Sequence, residues 1–405
     1  MQRRFIAKFT AGALSAVLFL LLVYQLPPVK SSLGWRVDFT LTYLRGILYP
    51  ADRMPTPRPS PTLDRQAVLI PTATQQPATA PAPTPTPLPP AVKLDPPGFE
   101  QQTLNNCGPA ALAGYLRYFG WEGDQTAVAE VVKEKTEDRN VNVEELAYFV
   151  RTHAGWLHME YRVGMGLEQI KRFLAAGIPV VIEETFLMDA GFWPNDDLWA
   201  GHYLLITGYN DTTGVVTTQD TYYGPNRPVT YADLDRNWKA FNRVLLLVYP
   251  PEQAETVRAI LGPDWDPDAN RRRALLAAEA ETRADPQDAF AWFNVGTNLV
   301  YFDRSEEAAQ AYDTARSLGL PQRMLRYQFG PFLAYFHSGR TDDLLALTRY
   351  ALQRTPNAEE ALLWHGWALY RQGDIAGAEA DFRKALDANA TYQDAKYALQ
   401  FLGNP

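Results

Sequence analysis

Between residues 98 and 250 the spacing of apolar residues changes period several times, and the order of those changes predicts helices first and strands afterwards. Leu112, Leu116 and Phe119 recur at helical spacing behind Pro109, which fits a first helical turn because its missing N–H costs nothing there. A helix is therefore predicted to open at Cys107. Residues 125–135 and 143–153 repeat the helical spacing, with turn residues around 138–142. The pattern then alternates as a strand over 156–163, returns to a helix over 167–176 that Gly177 ends, and becomes a buried strand over 178–182. Residues 186–200, rich in aromatics and acids, read as a loop suited to walling a cleft. Strands follow at 202–209, 215–220 and 244–248, with a helix near 231–241. Helices followed by a sheet make an α+β domain, placed at 98–250.

Beyond Pro250 the strands stop, and core positions return every 34 to 36 residues in 292–321, 328–356 and 362–390. Trp292, Val295, Gly296 and Leu299 mark the first helix of one copy, and Ala308, Tyr312 and Ala315 its partner. Leu362, Gly366, Leu369, Ala378, Phe382 and Ala385 repeat the pattern, whereas the middle copy puts Phe332 at the small position and Leu344 and Thr348 in its second helix. The spacing resembles tetratricopeptide repeats, which implies an all-α solenoid over 251–405 that recruits a protein partner or substrate. Residues 268–284 would be a half-repeat joining it to the preceding domain, and 392–402 a capping helix. An unrelated helical bundle is the alternative.

At the other end, Arg3, Arg4 and Lys8 precede an uncharged apolar run over 9–26, long enough to cross a bilayer with its basic flank in the cytoplasm. Residues 1–30 are therefore expected to be a signal anchor or transmembrane segment; no A-x-A-like cleavage site follows. The localisation implied is the cell membrane, single-pass, with the later domains extracytoplasmic. Residues 31–49 carry Trp35, Phe39, Leu41, Leu44, Ile47 and Leu48 among polar residues, as a juxtamembrane amphipathic helix would. Residues 50–97 are a Pro/Thr-rich stretch expected to be a disordered linker, and at about 3.1 Å per extended residue it reaches on the order of a hundred ångströms.

Composition adds limits. A chain of 405 residues predicts two or three domains, and 46% apolar residues supply their cores. A net charge of −8 leaves no basic excess for a phosphate backbone, so nucleic acid is excluded as a partner. A single cysteine excludes an internal disulfide, and in an exported protein such a thiol is either a small buried hydrophobe or a reactive group.

The reactive reading needs a base for the thiol, a group that orients the base, and donors for an oxyanion. Cys107 faces the unpaired N–H groups of a helix start, which stabilise a thiolate. His202, alone among five histidines, opens a core strand. Asp220 ends the next strand, where it can accept the second imidazole N–H; a turn aspartate is the plainer reading. Gln101, six positions before Cys107, is the candidate side-chain donor to the oxyanion beside the Cys107 N–H, with Gln102 as the alternative.

The segments Q-x5-CGPAAL, GHYLLITGYND and QDTYYGPN resemble the C39-like branch of the papain-type cysteine peptidases, over roughly 96–250. The resemblance implies a papain-like fold and thioester chemistry with Gln101, Cys107, His202 and Asp220 as catalytic residues, and it implies no cofactor or metal. The best-known members cut leader peptides after a double glycine while fused to an export ATPase. This chain has no GxxxxGK[ST] phosphate loop, and its expected topology puts the thiol outside the cell. Three functions follow: a membrane-anchored peptidase acting on peptides or proteins, a silent papain-like binding scaffold, or an amidase or acyl transferase using the same groups.

Overall fold

The sheet that the sequence predicts is one seven-stranded, fully antiparallel layer. The computed structural model describes residues 15, 18–20, 22–50, 53–58, 87–95, 98–133 and 140–403. Its strands are β1 (Ala91–Lys93), β2 (His158–Arg162), β3 (Val180–Leu187), β4 (Trp199–Asn210), β5 (Val215–Asp220), β6 (Gly224–Thr230) and β7 (Leu245–Tyr249). They run in the order β2-β7-β3-β4-β5-β6, with β1 on the end of β4. β4 is the hub, pairing with β3 from Leu187↔Trp199 to Val180↔Ile206, with β5, and through its last three residues with β1. At Gly208 the register shifts, and a Cβ there would lie 2.6 Å from the Val92 carbonyl oxygen, so only glycine lets β1 approach.

The first-domain helices are α1 (Pro27–Leu48), α2 (Cys107–Tyr118), α3 (Gln125–Val132), α4 (Val143–His153), α5 (Leu167–Ala175) and α6 (Tyr231–Lys239). Their starts are chemically specified. The Asp124 carboxylate accepts from Thr126 and Ala127 N–H, Asn142 and Glu145 form a reciprocal capping box, and Thr230 caps α6. Leu112, Leu116, Leu146, Val181 and Leu205 form the core between α2, α4 and one face of the sheet. Ile170, Phe173, Ile182, Leu204, Ile206 and Trp238 form the core beneath α5 and α6 on the other.

Three boundaries differ from the sequence expectation. β3 runs past residue 182 to Leu187 and β4 begins at Trp199, so the expected loop 186–200 shrinks to 188–198. β1 lies inside the stretch 50–97 expected to be linker, because pairing with β4 outweighs its proline-flanked composition. β6, with two prolines and no apolar alternation, is held by pairing with β5 from Val215↔Thr230 to Asp220↔Gly224.

From Ala254 to Phe401 the described chain is helical. Ala289–Tyr301 pairs with Ser305–Leu318, Gly330–His337 with Thr341–Arg354, and Glu359–Arg371 with Ile375–Ala388. A Cβ at Gly296 would lie 2.7 Å from the Tyr312 ring, and one at Gly366 would lie 2.5 Å from Phe382. The small residue is thus required by the aromatic across the pair. The middle pair reverses the arrangement, with the large Phe332 and the small Thr348, both fully buried, at the matching positions.

The two regions share one core, since the cluster beneath α2 continues without a break through Phe293, Tyr312, Phe332 and Leu344. The 188–198 loop is docked there rather than open over a cleft. Arg323, 2% exposed, donates through Nη1 to Asp196 Oδ1 at 2.6 Å and to the Trp199 carbonyl at 3.1 Å, and its guanidinium lies 4.1 Å from the Trp193 ring centre. Gln322 adds bonds to the Trp193 indole, the Asn195 carbonyl and the Asp197 carboxylate. On the other side of the loop sits α1, with Phe39 edge-on to Phe192 at 5.2 Å and Gly46 against Trp193 and Pro194. Arg316 then donates to the Pro55 carbonyl, and Arg58 pairs with Asp342.

Residues 31–49 and 53–58 therefore lie on the folded body and are not held at the far end of an extended spacer. Half of the apolar run 9–26 falls outside the described residues, as do 59–86. No helix among the described residues is long and apolar enough to cross a membrane.

Removing one partner of a buried ion pair strands the other, which costs about 3–5 kcal/mol. Arg323→Ala should lose that much stability in urea unfolding; a loss below about 1 kcal/mol would show that the loop is not fastened here.

Candidate active site

Cys107 is the first residue of α2, and the turn that delivers it is held from one point. Gln125, buried at the start of α3, accepts through Oε1 from the Thr103 N–H at 2.7 Å and from Asn106 Nδ2 at 2.9 Å. Its Nε2 donates to Glu100 and to the Gln101 carbonyl, both at 2.8 Å. Asn105 takes a left-handed conformation at φ 55°, and Lys133 Nζ donates to its carbonyl at 2.9 Å. Gly108 lets the helix start lie on β4, since a Cβ there would be 3.3 Å from the Tyr203 ring. The thiol residue is half-buried.

His202 lies on β4 with 2% of its surface exposed. Its Nε2 is 3.0 Å from Asp220 Oδ1, at the end of the adjacent β5. That oxygen also accepts from the backbone N–H groups of Tyr222 at 2.9 Å and Tyr223 at 3.1 Å, and Arg227 stands 3.6 Å from Oδ2. Phe186 covers the imidazole at 5.0 Å between ring centres. Nδ1 is buried with no hydrogen-bond partner, and the Cys107 thiol lies close enough to the ring to affect its charge. Such contacts are commonly long before substrate binds.

These neighbours set the charges. Burial opposes ionisation of Cys107, but His202, the Tyr203 backbone N–H and Lys133 outweigh it and hold the thiol pKa below its ordinary 9.0. Burial pulls His202 down, yet the Asp220 carboxylate and the Cys107 sulfur raise its pKa well above the ordinary imidazole range. Asp220 is pushed up by burial and down, by more, through His202 and the two backbone donors, so it stays ionised. The arrangement favours a thiolate beside an imidazolium.

The structure thus brings Cys107, His202 and Asp220 together. Gln101 is exposed, its Nε2 donating to the Tyr222 carbonyl at 2.5 Å, which uses one of its two amide hydrogens. Gln102 accepts from the Thr221 hydroxyl at 2.9 Å, so its carbonyl end is committed there. His365 pairs with Asp381 in the helical region, far along the chain from the thiol.

Three side chains at the site were not legible beforehand. Glu183 and Glu184 sit on β3 opposite Tyr203 and His202 respectively. Glu183 lines the space in front of Cys107, and burial followed by the charge of the sulfur raises its pKa well above the carboxylate range. Glu184 has a buried Oε2 without a partner; burial raises its pKa to about 8, with Asp220 adding to the rise and His202 and Arg227 opposing it. An acid pair after an apolar run reads as the end of a strand, and only the β3–β4 pairing places it inside. Tyr327, from the helical region, also lines the space at Cys107.

Comparison with known proteins identifies the domain. Residues 93–246 match the Peptidase_C39 like family, so the chain contains a C39-like peptidase domain, followed by a helical C-terminal region. A structure described as a C39-like peptidase from Bacillus anthracis is 16% identical, spans 39% of this chain and 96% of its own, with a TM-score of 0.32. A double glycine motif protease from an AMS/PCAT transporter, solved with its leader peptide, is 17% identical over 39% of this chain and 94% of its own, with a TM-score of 0.29. YrrB, a TPR protein with an unusual peptide-binding site, is 16% identical over 36% of this chain and 89% of its own, with a TM-score of 0.20. No curated protein matches the chain.

An acid whose pKa is raised on folding binds more protons in the folded state, so its contribution to stability is complete below about 4.5 and fades as pH rises towards about 8. Glu184→Gln removes that contribution. Relative to wild type, the variant should gain stability steadily between pH 5 and pH 8 in thermal melts. A difference that does not change with pH would mean that the carboxyl is solvated.

Proposed function

We propose that this protein is a membrane-anchored, extracytoplasmic cysteine peptidase that cleaves peptide bonds through Cys107, with His202 and Asp220. The observation that carries the reading is the buried His202, bonded to Asp220 through Nε2, with its Nδ1 unpartnered and the helix-start thiol close enough to shift its pKa. The family match over 93–246 supports the same chemistry.

In this reading the Cys107 thiolate attacks the substrate carbonyl, and the carbonyl electron pair moves onto oxygen. The Cys107 N–H holds that oxyanion, and Gln101 joins it by turning inward from the Tyr222 carbonyl. Collapse expels the amine, which takes its proton from the His202 imidazolium, and leaves a thioester on Cys107. His202, now neutral, removes a proton from water as the water attacks the thioester. The carboxylic acid product leaves and the thiol is restored. Asp220 steadies the imidazolium and fixes its orientation throughout. No metal or cofactor enters these steps.

The helix pairs from Ala289 to Ala388 support a tetratricopeptide-type region, with their Gly296/Tyr312 and Gly366/Phe382 complementarity, and its role here is to recruit a peptide or protein. Membrane anchoring rests on Arg3, Arg4, Lys8 and the apolar run that follows. Salt should fail to release the protein from membranes while detergent succeeds; release by salt alone would remove the anchor.

Because Cys107 is the only thiol, its alkylation by iodoacetamide reports one site. The rate against pH should inflect below 9.0 in the wild type, shift upward in His202→Ala, and shift less in Asp220→Asn. An inflection indifferent to His202 would sink the pair. With a cleavable peptide in hand, Cys107→Ala should abolish turnover without unfolding, and Gln101→Ala should lower kcat about a hundredfold. An unchanged kcat in Gln101→Ala would remove Gln101 from the oxyanion site.

A further inference from the structure

We infer that the helical region holds a binding cleft for extended, proline-rich peptides, and that the chain closes this cleft with its own residues 53–58. The inference deepens the recruiting role given to that region and rests on it, but it is independent of the chemistry at Cys107.

The cleft is built from charges buried between three helices. Arg316 of Ser305–Leu318 has a side chain with no exposed surface, and its Nη1 donates to the Tyr335 hydroxyl of Gly330–His337 at 2.8 Å and to Asp343 of Thr341–Arg354 at 3.5 Å. The Tyr335 hydroxyl donates in turn to Asp313 at 2.7 Å, and Arg340 bridges Asp313 and Asp343. Two arginines and two aspartates balance one another there. One group of each sign still faces the segment: Arg316 Nη2 donates to the Pro55 carbonyl, and Asp343 Oδ1 accepts from the Arg58 backbone N–H at 3.2 Å. These contacts reach 261 and 285 positions along the chain, so residues 53–58 arrive at the cleft as a separate peptide would.

A buried donor for one carbonyl and a buried carboxylate for the N–H three residues later recognise backbone rather than side chains. Pro55 and Pro57 suit such a site, because neither has an N–H to leave stranded and proline holds the chain extended before it binds. Met54, Pro55 and Pro57 are half-buried, and Met54 packs on the core cluster, while Arg53, Thr56 and Arg58 are exposed. At the open edge the Arg58 guanidinium pairs with Asp342, both side chains more than half exposed, so this pair sets register more than affinity. The ligand class is therefore Pro-x-Pro followed by a basic residue with a free N–H. Pro-Thr-Pro stands again at 83–85 and 85–87, but threonine and leucine follow it there, so residues 55–58 carry the fuller match. An outside peptide of this class enters by displacing them.

The test is a fluorescein-labelled peptide of residues 50–61, followed by anisotropy against the full chain in detergent. A tethered segment competes at an effective concentration on the order of millimolar. Wild type should therefore bind the peptide at least about tenfold more weakly than a chain carrying Met54→Ser, Pro55→Gly, Pro57→Gly and Arg58→Gly together. Against that variant, a peptide with Arg58→Pro, which lacks the N–H that Asp343 accepts, should bind about tenfold more weakly than the native peptide, and one with Arg58→Lys should match it. Equal affinity for wild type and variant, no binding to the variant, or equal binding of the Arg58→Pro peptide would each overturn the inference. If the fourfold variant does not fold, Arg58→Pro in the chain takes its place, since it removes one N–H and leaves Arg316 its carbonyl; peptide binding no tighter than to wild type then overturns the cleft. Alkylation of Cys107 is followed in the same samples. A chain whose thiol reacts as expected but whose cleft ignores the peptide rejects the cleft and leaves the peptidase reading intact.

Discussion

An imidazole that is almost wholly buried can be charged only where anions face both of its nitrogens, and the site is arranged around meeting that condition for His202. Asp220 meets it at Nε2, and the Cys107 sulfur lies close enough to the ring to add to the effect. Each partner arrives on a different element, so β4, β5 and α2 must hold fixed relative positions for the charge to be tolerated. The rest of the domain supplies that rigidity. β4 is paired along both edges, Tyr222 and Tyr223 fix the Asp220 carboxylate, and Gln125 ties down the turn ahead of Cys107. A change in any of these would be felt as a change in the thiol.

The same strand is where the helical region attaches. Trp199 and Gly201 lie just before His202 and carry the aromatic contacts to Phe241 and Tyr327, while the loop that precedes them is fastened by Arg323 and Gln322. Buried ion pairs add little net stability, but they penalise misplacement heavily, because a separated partner is left uncompensated. The Asp196–Arg323 pair therefore acts mainly to fix where the two regions meet. With α1 laid on the outer side of that loop, the N-terminal segment, the loop and the His202 strand form one continuous stack.

Much of this was legible locally. Helical spacing behind Pro109 placed Cys107 at a helix start, the apolar run at 202–209 marked the strand that carries His202, and Asp220 closed the next strand at the expected residue. These readings held because each depends on neighbours within a few positions. β1 and β6 escaped because three residues among prolines, or a strand with two prolines, have no pattern of their own and exist only by pairing.

The sequence by itself determined the order and type of the elements that carry their own periodicity, β1 and β6 excepted, and the repeat spacing after residue 290, since periodicity and capping are properties of short segments. The tertiary structure alone decided what surrounds them. Glu183 and Glu184 look like a strand end until β3 is paired with β4, and Tyr327 looks like part of a repeat until its ring is found on Gly201. Burial and the approach of distant rings are sums over the whole packed chain. No window of sequence contains a residue from 220 positions away that lines the space beside the thiol.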